Sequence, residues 1–382
     1  MTKLHTVAAT LCCYLQAASR HVAPKFQPRR EFPFPKSTLG LSMRTLSRSL
    51  AFLLFLATLG LSAAYAEMVP GADIKSVREA QRIDAILRQP ESKLDLGRVK
   101  LTIDKMIDPT IDVDAGLKQM DDMAAQVRAM QPGFPSSNDT LQALRAYLYG
   151  KGPWNGYQSF DYDFDDPLGK NIRNKLLLNY MASRKGNCVT MPLLFVILGQ
   201  RLGLDVTIST APLHLFVKYT DPETATTYNL EATSGATPAR DVWIRQENPM
   251  TNESIANGLY MQRLSRRETA AVIATVVAEY LAPSQEHEKV IALSDVVLAH
   301  YAKDVGSMLR TGSAYGRLAR RDFVRKYPVP NLIPPEEYGY FKYLEDQNRF
   351  WFAKAEALGW REPDRDHEAK YLQSVSRAKA AQ

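Results

Sequence analysis

Between Arg184 and Leu204 the chain reads RKGNCVTMPLLFVILGQRLGL, and this stretch constrains the fold more than any other. Met191, Leu194, Phe195, Leu198 and Leu202 recur at helical spacing, with Gly186 and Asn187 at the start and Gly203 as the stop. A helix apolar on most of its faces has to be covered by other elements. The same spacing predicts that Cys188 lies in the first turn of that helix.

Cys188 is also isolated. Of three cysteines, Cys12 and Cys13 lie near the start of the chain, in a basic leader. That leader, residues 1–66, holds eight of the 48 Lys and Arg residues and one of the 41 acids, leaving 40 of each afterwards. The formal charge of +7 therefore belongs to the leader, and the rest lacks the basic footprint of a nucleic-acid binder. From Met43 the sequence MRTLSRSLAFLLFLATLGLSAAYAEM has a positive start, an uncharged apolar core and an Ala64-Tyr65-Ala66 cleavage pattern. Residues 43–66 are read as a signal peptide, too short in its apolar core to span ~30 Å of hydrocarbon. Translation is expected to start at Met43, with residues 1–42 a non-native or leader extension. The mature chain would then be periplasmic or secreted, without a stable membrane span, and Cys188 would be its one cysteine.

A lone cysteine forms no internal disulfide, and with four histidines it builds no cysteine-rich zinc site. It is then either a small buried hydrophobe or a nucleophile. A helix N-terminus, whose unpaired N–H groups favour a thiolate and can receive an oxyanion, points to the nucleophile.

A proton acceptor is expected downstream. The segments Leu204–Thr210, Leu213–Tyr219 and Thr226–Glu231 alternate as strands, with a turn signal at Asp221-Pro222-Glu223. His214 shares a face with Phe216 and Lys218, and Asn229 with Glu231. If the turn centres on Pro222-Glu223, facing residue numbers sum to 445 and His214 opposes Glu231; a sum of 443 substitutes Asn229. Either could orient the imidazole.

A cysteine opening a buried helix, a histidine on the following strands and an acid plus threonine beyond resemble the transglutaminase-like cysteine-peptidase superfamily. The pieces that carry the resemblance are RKGNC, PLHLFVKY and YNLEAT. It implies an α+β fold with a papain/transglutaminase-like core, the nucleophile helix packed on an antiparallel sheet. In that core Cys188 is nucleophile, His214 general base and then acid, and Glu231 the orienting residue, where most members have Asp-Pro-Thr. The segment Trp154 to Cys188 is similar to a bacterial branch in which helical hairpins follow the catalytic domain. The resemblance also makes Trp154 a candidate for oxyanion stabilisation, beside its reading as a packing tryptophan.

The flanks complete the organisation. Residues 67–150 form a helical segment, with three amphipathic helices between Leu94 and Tyr149. Residues 151–262 form the catalytic core, and residues 263–360 a tetratricopeptide-like region in which Tyr280, Tyr315 and Phe350 recur every 35 residues. Residues 361–382 are a charged, solvated tail. The acids around Asp163, Asp165 and Asp166 are interrupted by aromatics and lack EF-hand spacing, so neither metal nor cofactor is expected. The expected activity is that of a cysteine hydrolase or acyl transferase acting on an amide of a peptide or protein substrate. The competing reading is a non-catalytic peptide-binding scaffold whose C-terminal helices recruit a protein partner.

Overall fold

The computed structural model describes residues 77–131, 133–363 and 366–380. The expected leader, residues 1–42, and signal peptide, residues 43–66, lie outside the described residues. Four helices come first: α1 (Arg78–Leu87), α2 (Leu96–Asp104), α3 (Val113–Ala129) and α4 (Ser137–Tyr149). Asp95 and Asp112 cap α2 and α3, and α4 opens with a capping box between Ser136 and Asp139. The last three are the helices expected between Leu94 and Tyr149.

The short strand β1 (Asp161–Tyr162), α5 (Leu177–Ser183) and the short strand β2 (Lys185–Gly186) lead into α6 (Thr190–Arg201). Every residue of α6 from Thr190 to Gly199 is buried, as an all-round apolar helix requires. It is wrapped by α3, α4 and α5 on one side and by β3 (Val206–Ala211) and β4 (His214–Asp221) on the other. β5 (Thr226–Glu231) and β6 (Thr237–Ala239) extend an antiparallel sheet ordered β3-β4-β5-β6.

The β4–β5 register differs from both expectations. Val217 faces Leu230 and Lys218 faces Asn229, so facing numbers add to 447, not 445 or 443. The cause lies in the loop. Asp221 accepts hydrogen bonds from Glu223 N–H (2.9 Å) and Thr224 Oγ1 (3.1 Å), and Ala225 takes a left-handed φ of 53°. The connection therefore has four residues, centred one position later than a Pro222-Glu223 turn.

After α7 (Asp241–Glu247) and α8 (Asn252–Ala256) come α9 (Arg266–Leu281), α10 (His287–His300), α11 (Val305–Ala319) and α12 (Pro335–Ala357), each packed on the next. One core cluster runs from α1 through α6 and the sheet into α9 and α10. The 35-residue recurrence does not mark equivalent positions: Tyr315 is buried, whereas Tyr280 and Phe350 are exposed. The tail is also not solvated throughout. Its α13 (His367–Ala380) docks Tyr371 and Val375 against Leu168 and Phe164, and Tyr371 Oη lies 2.7 Å from Tyr162 Oη. Lys379 also pairs with Asp165 of the acidic loop at 2.5 Å, although both side chains remain exposed. Among the described residues no helix is long and apolar enough to cross a membrane.

Candidate active site

The entry to α6 is built by two residues of the RKGNC stretch. A Cβ at Gly186 would lie 2.4 Å from the Tyr180 ring and 2.9 Å from Met191 Cγ, so only glycine fits there. Asn187 is the functional cap. Its Oδ1 accepts from Val189 N–H (3.0 Å) and Thr190 N–H (3.1 Å), and its carbonyl accepts the first helical bond from Met191 N–H (3.0 Å). The regular helix begins at Thr190, two residues later than expected, but this hydrogen bonding makes Cys188 the first residue of the turn. The N–H groups of the next two residues go to the Asn187 side chain.

Cys188 is 1% exposed, and its Sγ donates to the Leu213 carbonyl at 3.8 Å. Pro212 and Leu213 form the two-residue link between β3 and β4, since Ala211 pairs with His214. Leu213 has a φ of 63°, a left-handed conformation unusual for leucine and of the sort that clusters at functional sites.

His214 follows at once and is buried, its ring stacked on Phe216 (centroids 6.5 Å apart, 14° between planes). Its Nε2 lies 2.7 Å from Glu231 Oε2, while Nδ1 is buried and has no hydrogen-bond partner among the described residues. Glu231 Oε1 accepts from Thr233 N–H (3.0 Å) and Thr233 Oγ1 (2.7 Å). Three donors converging on one carboxyl group suit an acceptor-only carboxylate, so the network assigns the imidazole proton to Nε2 and a lone pair to Nδ1. A neutral imidazole in that tautomer accepts a proton at Nδ1, on the edge turned away from Glu231.

Asn229, the other candidate, is engaged elsewhere. It accepts from Lys218 Nζ (2.7 Å) and donates to the Ala239 carbonyl (3.1 Å) and Asp241 Oδ1 (2.6 Å). Trp154 is not brought to the site either. Its indole N–H donates to the Ala146 carbonyl at 3.2 Å, its side of the fold is lined by Gln126, Tyr147 and Arg184, and it is 37% exposed.

Two neighbours of the site escaped sequence reasoning. The Tyr149 hydroxyl, at the end of α4, is buried without a partner among the described residues. Burial, and next the charge of Glu231, push its ionisation far above the usual phenol range, so it is a neutral hydroxyl within the field of that carboxylate. In sequence it reads as one more apolar-face aromatic. The second is an ionic chain behind the site: Lys100 pairs with Asp104 and donates to the Lys175 carbonyl (2.6 Å), and Lys175 pairs with Glu279. Lys100 and Asp104, four apart on α2, look like a solvated surface pair, yet both are buried.

No cluster of metal-ligating side chains occurs among the described residues. Comparison with curated proteins gives no match, and neither does comparison with solved structures. A family model does match, over residues 114–286, a span holding Cys188, His214 and Glu231 together with α3 to α9. The matching model is that of the transglutaminase-like superfamily, and it is to a domain of that superfamily that residues 114–286 are similar.

Proposed function

We propose that the protein is a cysteine hydrolase or acyl transferase acting on an amide bond through Cys188, His214 and Glu231. The observation that carries this reading is the division of labour on one imidazole. Nε2 is held by Glu231, Nδ1 has no partner among the described residues, and the Cys188 thiol binds the carbonyl of the residue joined to His214. Rotation of the thiol from that carbonyl to Nδ1 passes the Sγ proton to the ring. Sulfur then attacks the amide carbon, and the imidazolium, stabilised by Glu231, returns the proton to the departing nitrogen as the C–N bond breaks. Water or an amine resolves the thioester. The domain match supports this chemistry at the level of the superfamily.

Incubation with a mixed peptide library, followed by mass spectrometry, tests the reading. Wild type should yield cleaved products and a thioester adduct on Cys188, and Cys188→Ala should yield neither. Cleavage that survives Cys188→Ala would overturn it.

One observation favours the scaffold reading: the thiol is sealed, with Cys188 1% exposed. Tight peptide binding by wild type without cleavage or adduct would select the scaffold. We also propose that the protein is exported after cleavage before Glu67, on the strength of the pattern at residues 43–66. N-terminal sequencing of protein from the cell envelope should begin within a few residues of Glu67.

A further inference from the structure

A cleft of about 180 Å3 opens on Leu213 and His214 and runs beneath the C-terminal helices. Its walls are largely apolar, from Leu193 of α6, Ile273 and Val276 of α9, Leu309 of α11 and Phe352 of α12. One guanidinium stands among them, that of Arg310 on α11.

Arg310 is poorly matched by the protein. Its side chain is 17% exposed, and its Nε is buried with no hydrogen-bond partner among the described residues. The nearest carboxylate oxygen, Asp304 Oδ1, is 3.8 Å from Nη2, beyond hydrogen-bond reach, and already accepts from Ser307 N–H at 2.6 Å as the cap of α11. Gly306 leaves room for the guanidinium, since a Cβ there would sit 3.1 Å from Nη2. The other buried charges of the cleft are engaged: Lys100 with Asp104, and Lys175 with Glu279. Lys303 and Glu362 are exposed. A mostly buried guanidinium with idle donors has the planar fork that fits a carboxylate.

The chemistry proposed for Cys188 and His214 says which fragment this cleft would hold. The imidazole returns its proton to the leaving nitrogen, so the leaving fragment lies on the side of His214, where the cleft opens. About 180 Å3 is small beside the ~300–1,000 Å3 of sites for drug-sized ligands, which suits one or two residues better than a continuing chain. We propose that the leaving fragment is the C-terminal residue of a peptide, its side chain apolar and its terminal carboxylate received by Arg310, so that the protein trims free C-termini. The scissile C–N bond breaks to a Cys188 thioester and a free amino acid carrying the former thiol proton. Water then releases the shortened peptide. This substrate class rests on the catalytic reading given above.

The experiment compares N-acetylated peptides ending in Leu or Phe as free acids with the same peptides as C-terminal amides. Wild type should favour the free acid by roughly 10²-fold in kcat/KM, since a buried polar group rejects a substrate lacking its partner. Arg310→Gln should bring that ratio close to one, and Arg310→Lys should leave it intermediate. Equal use of acid and amide by wild type, or a ratio unmoved in both variants, overturns the proposal while leaving the Cys188 chemistry intact. Calorimetry on full-length Cys188→Ala protein decides independently of turnover. At least tenfold tighter binding of the free acid supports the proposal, and equal binding overturns it even if no peptide is cleaved.

Discussion

His214 Nε2 lies 2.7 Å from Glu231 Oε2, although the two residues do not face each other across the sheet. The ladder runs from Asp221↔Thr226 to Val217↔Leu230, and its continuation would set Glu231 opposite Phe216. The contact is a diagonal, which long side chains on one face can span. A glutamate reaches across where an aspartate, one methylene shorter, would fall short. That geometry accounts for Glu231-Ala232-Thr233 in a place where the resembled pattern carries Asp-Pro-Thr.

Substitutions at this pair test the assignment. In Glu231→Gln the amide oxygen would stay on Thr233 and the NH2 would donate to Nε2, forcing the imidazole proton onto Nδ1, where the thiol proton has to go. Turnover should fall by on the order of 10² to 10⁴ with the fold intact. Glu231→Asp should fall nearly as far for want of reach. Asn229→Ala breaks the links to Lys218, Ala239 and Asp241, so its cost, about 1–3 kcal/mol, should appear in urea unfolding with little change in turnover. The reverse ranking would remove Glu231 from the site.

Alkylation reports on the thiol directly. At pH 7 iodoacetamide should label Cys188 in the native protein at the rate at which local opening uncovers the 1% exposed thiol, with His214 then taking its proton. His214→Ala should slow labelling by about tenfold or more, as followed by intact mass. Equal rates in the two proteins would make Cys188 a packing residue.

The C-terminal helices carry a separate pH signature. Burial pushes the carboxyl of Asp295 on α10 up to about 6, with Lys354 pulling the other way. The folded state therefore holds this proton to higher pH than the unfolded chain does. Stability from this group is present below about pH 4 and is lost as pH rises to about 6. The shift caps the loss at roughly 3 kcal/mol, and partial exposure reduces it to about 1–2 kcal/mol. Asp295→Asn should thus be more stable than wild type in urea melts at pH 7.5, with the gain shrinking towards pH 4. No difference at pH 7.5 would mean that Asp295 is better solvated than its surroundings suggest.

What the sequence disclosed, and what it hid, follows from the range of the forces involved. The α6 run and the alternating strands were legible because burial imposes its period on neighbouring residues. Register was not, because it turned on the Asp221 side chain drawing Thr224 and Ala225 into the turn, two more residues on its C-terminal side. Hydrogen bonding by Asn187 and the left-handed Leu213 likewise depend on local geometry that letters do not carry. Lys100 with Asp104, Tyr149, and the docking of Tyr371 on Tyr162 needed the third dimension, since each joins elements distant in the chain or reverses an ordinary surface preference. For Trp154 the sequence left two roles open, oxyanion stabilisation and packing, and its indole N–H is taken by the nearby Ala146 carbonyl.

Leu213 has a consequence for substrate size. It lines the cleft beneath the C-terminal helices and also a second hollow of about 320 Å3 between Asn248, Met250 and Arg361, as do Pro212, Tyr260, Trp360, Glu362 and Pro363, so these six residues together wall one chamber off from the other. Glycine is at ease at a φ of 63°, and the relief of about 1–2 kcal/mol of left-handed strain roughly offsets the extra chain entropy and lost packing. Leu213→Gly would therefore leave the melting temperature almost unchanged while thinning the wall between the two chambers beside His214, so that the cleft there admits bulkier side chains.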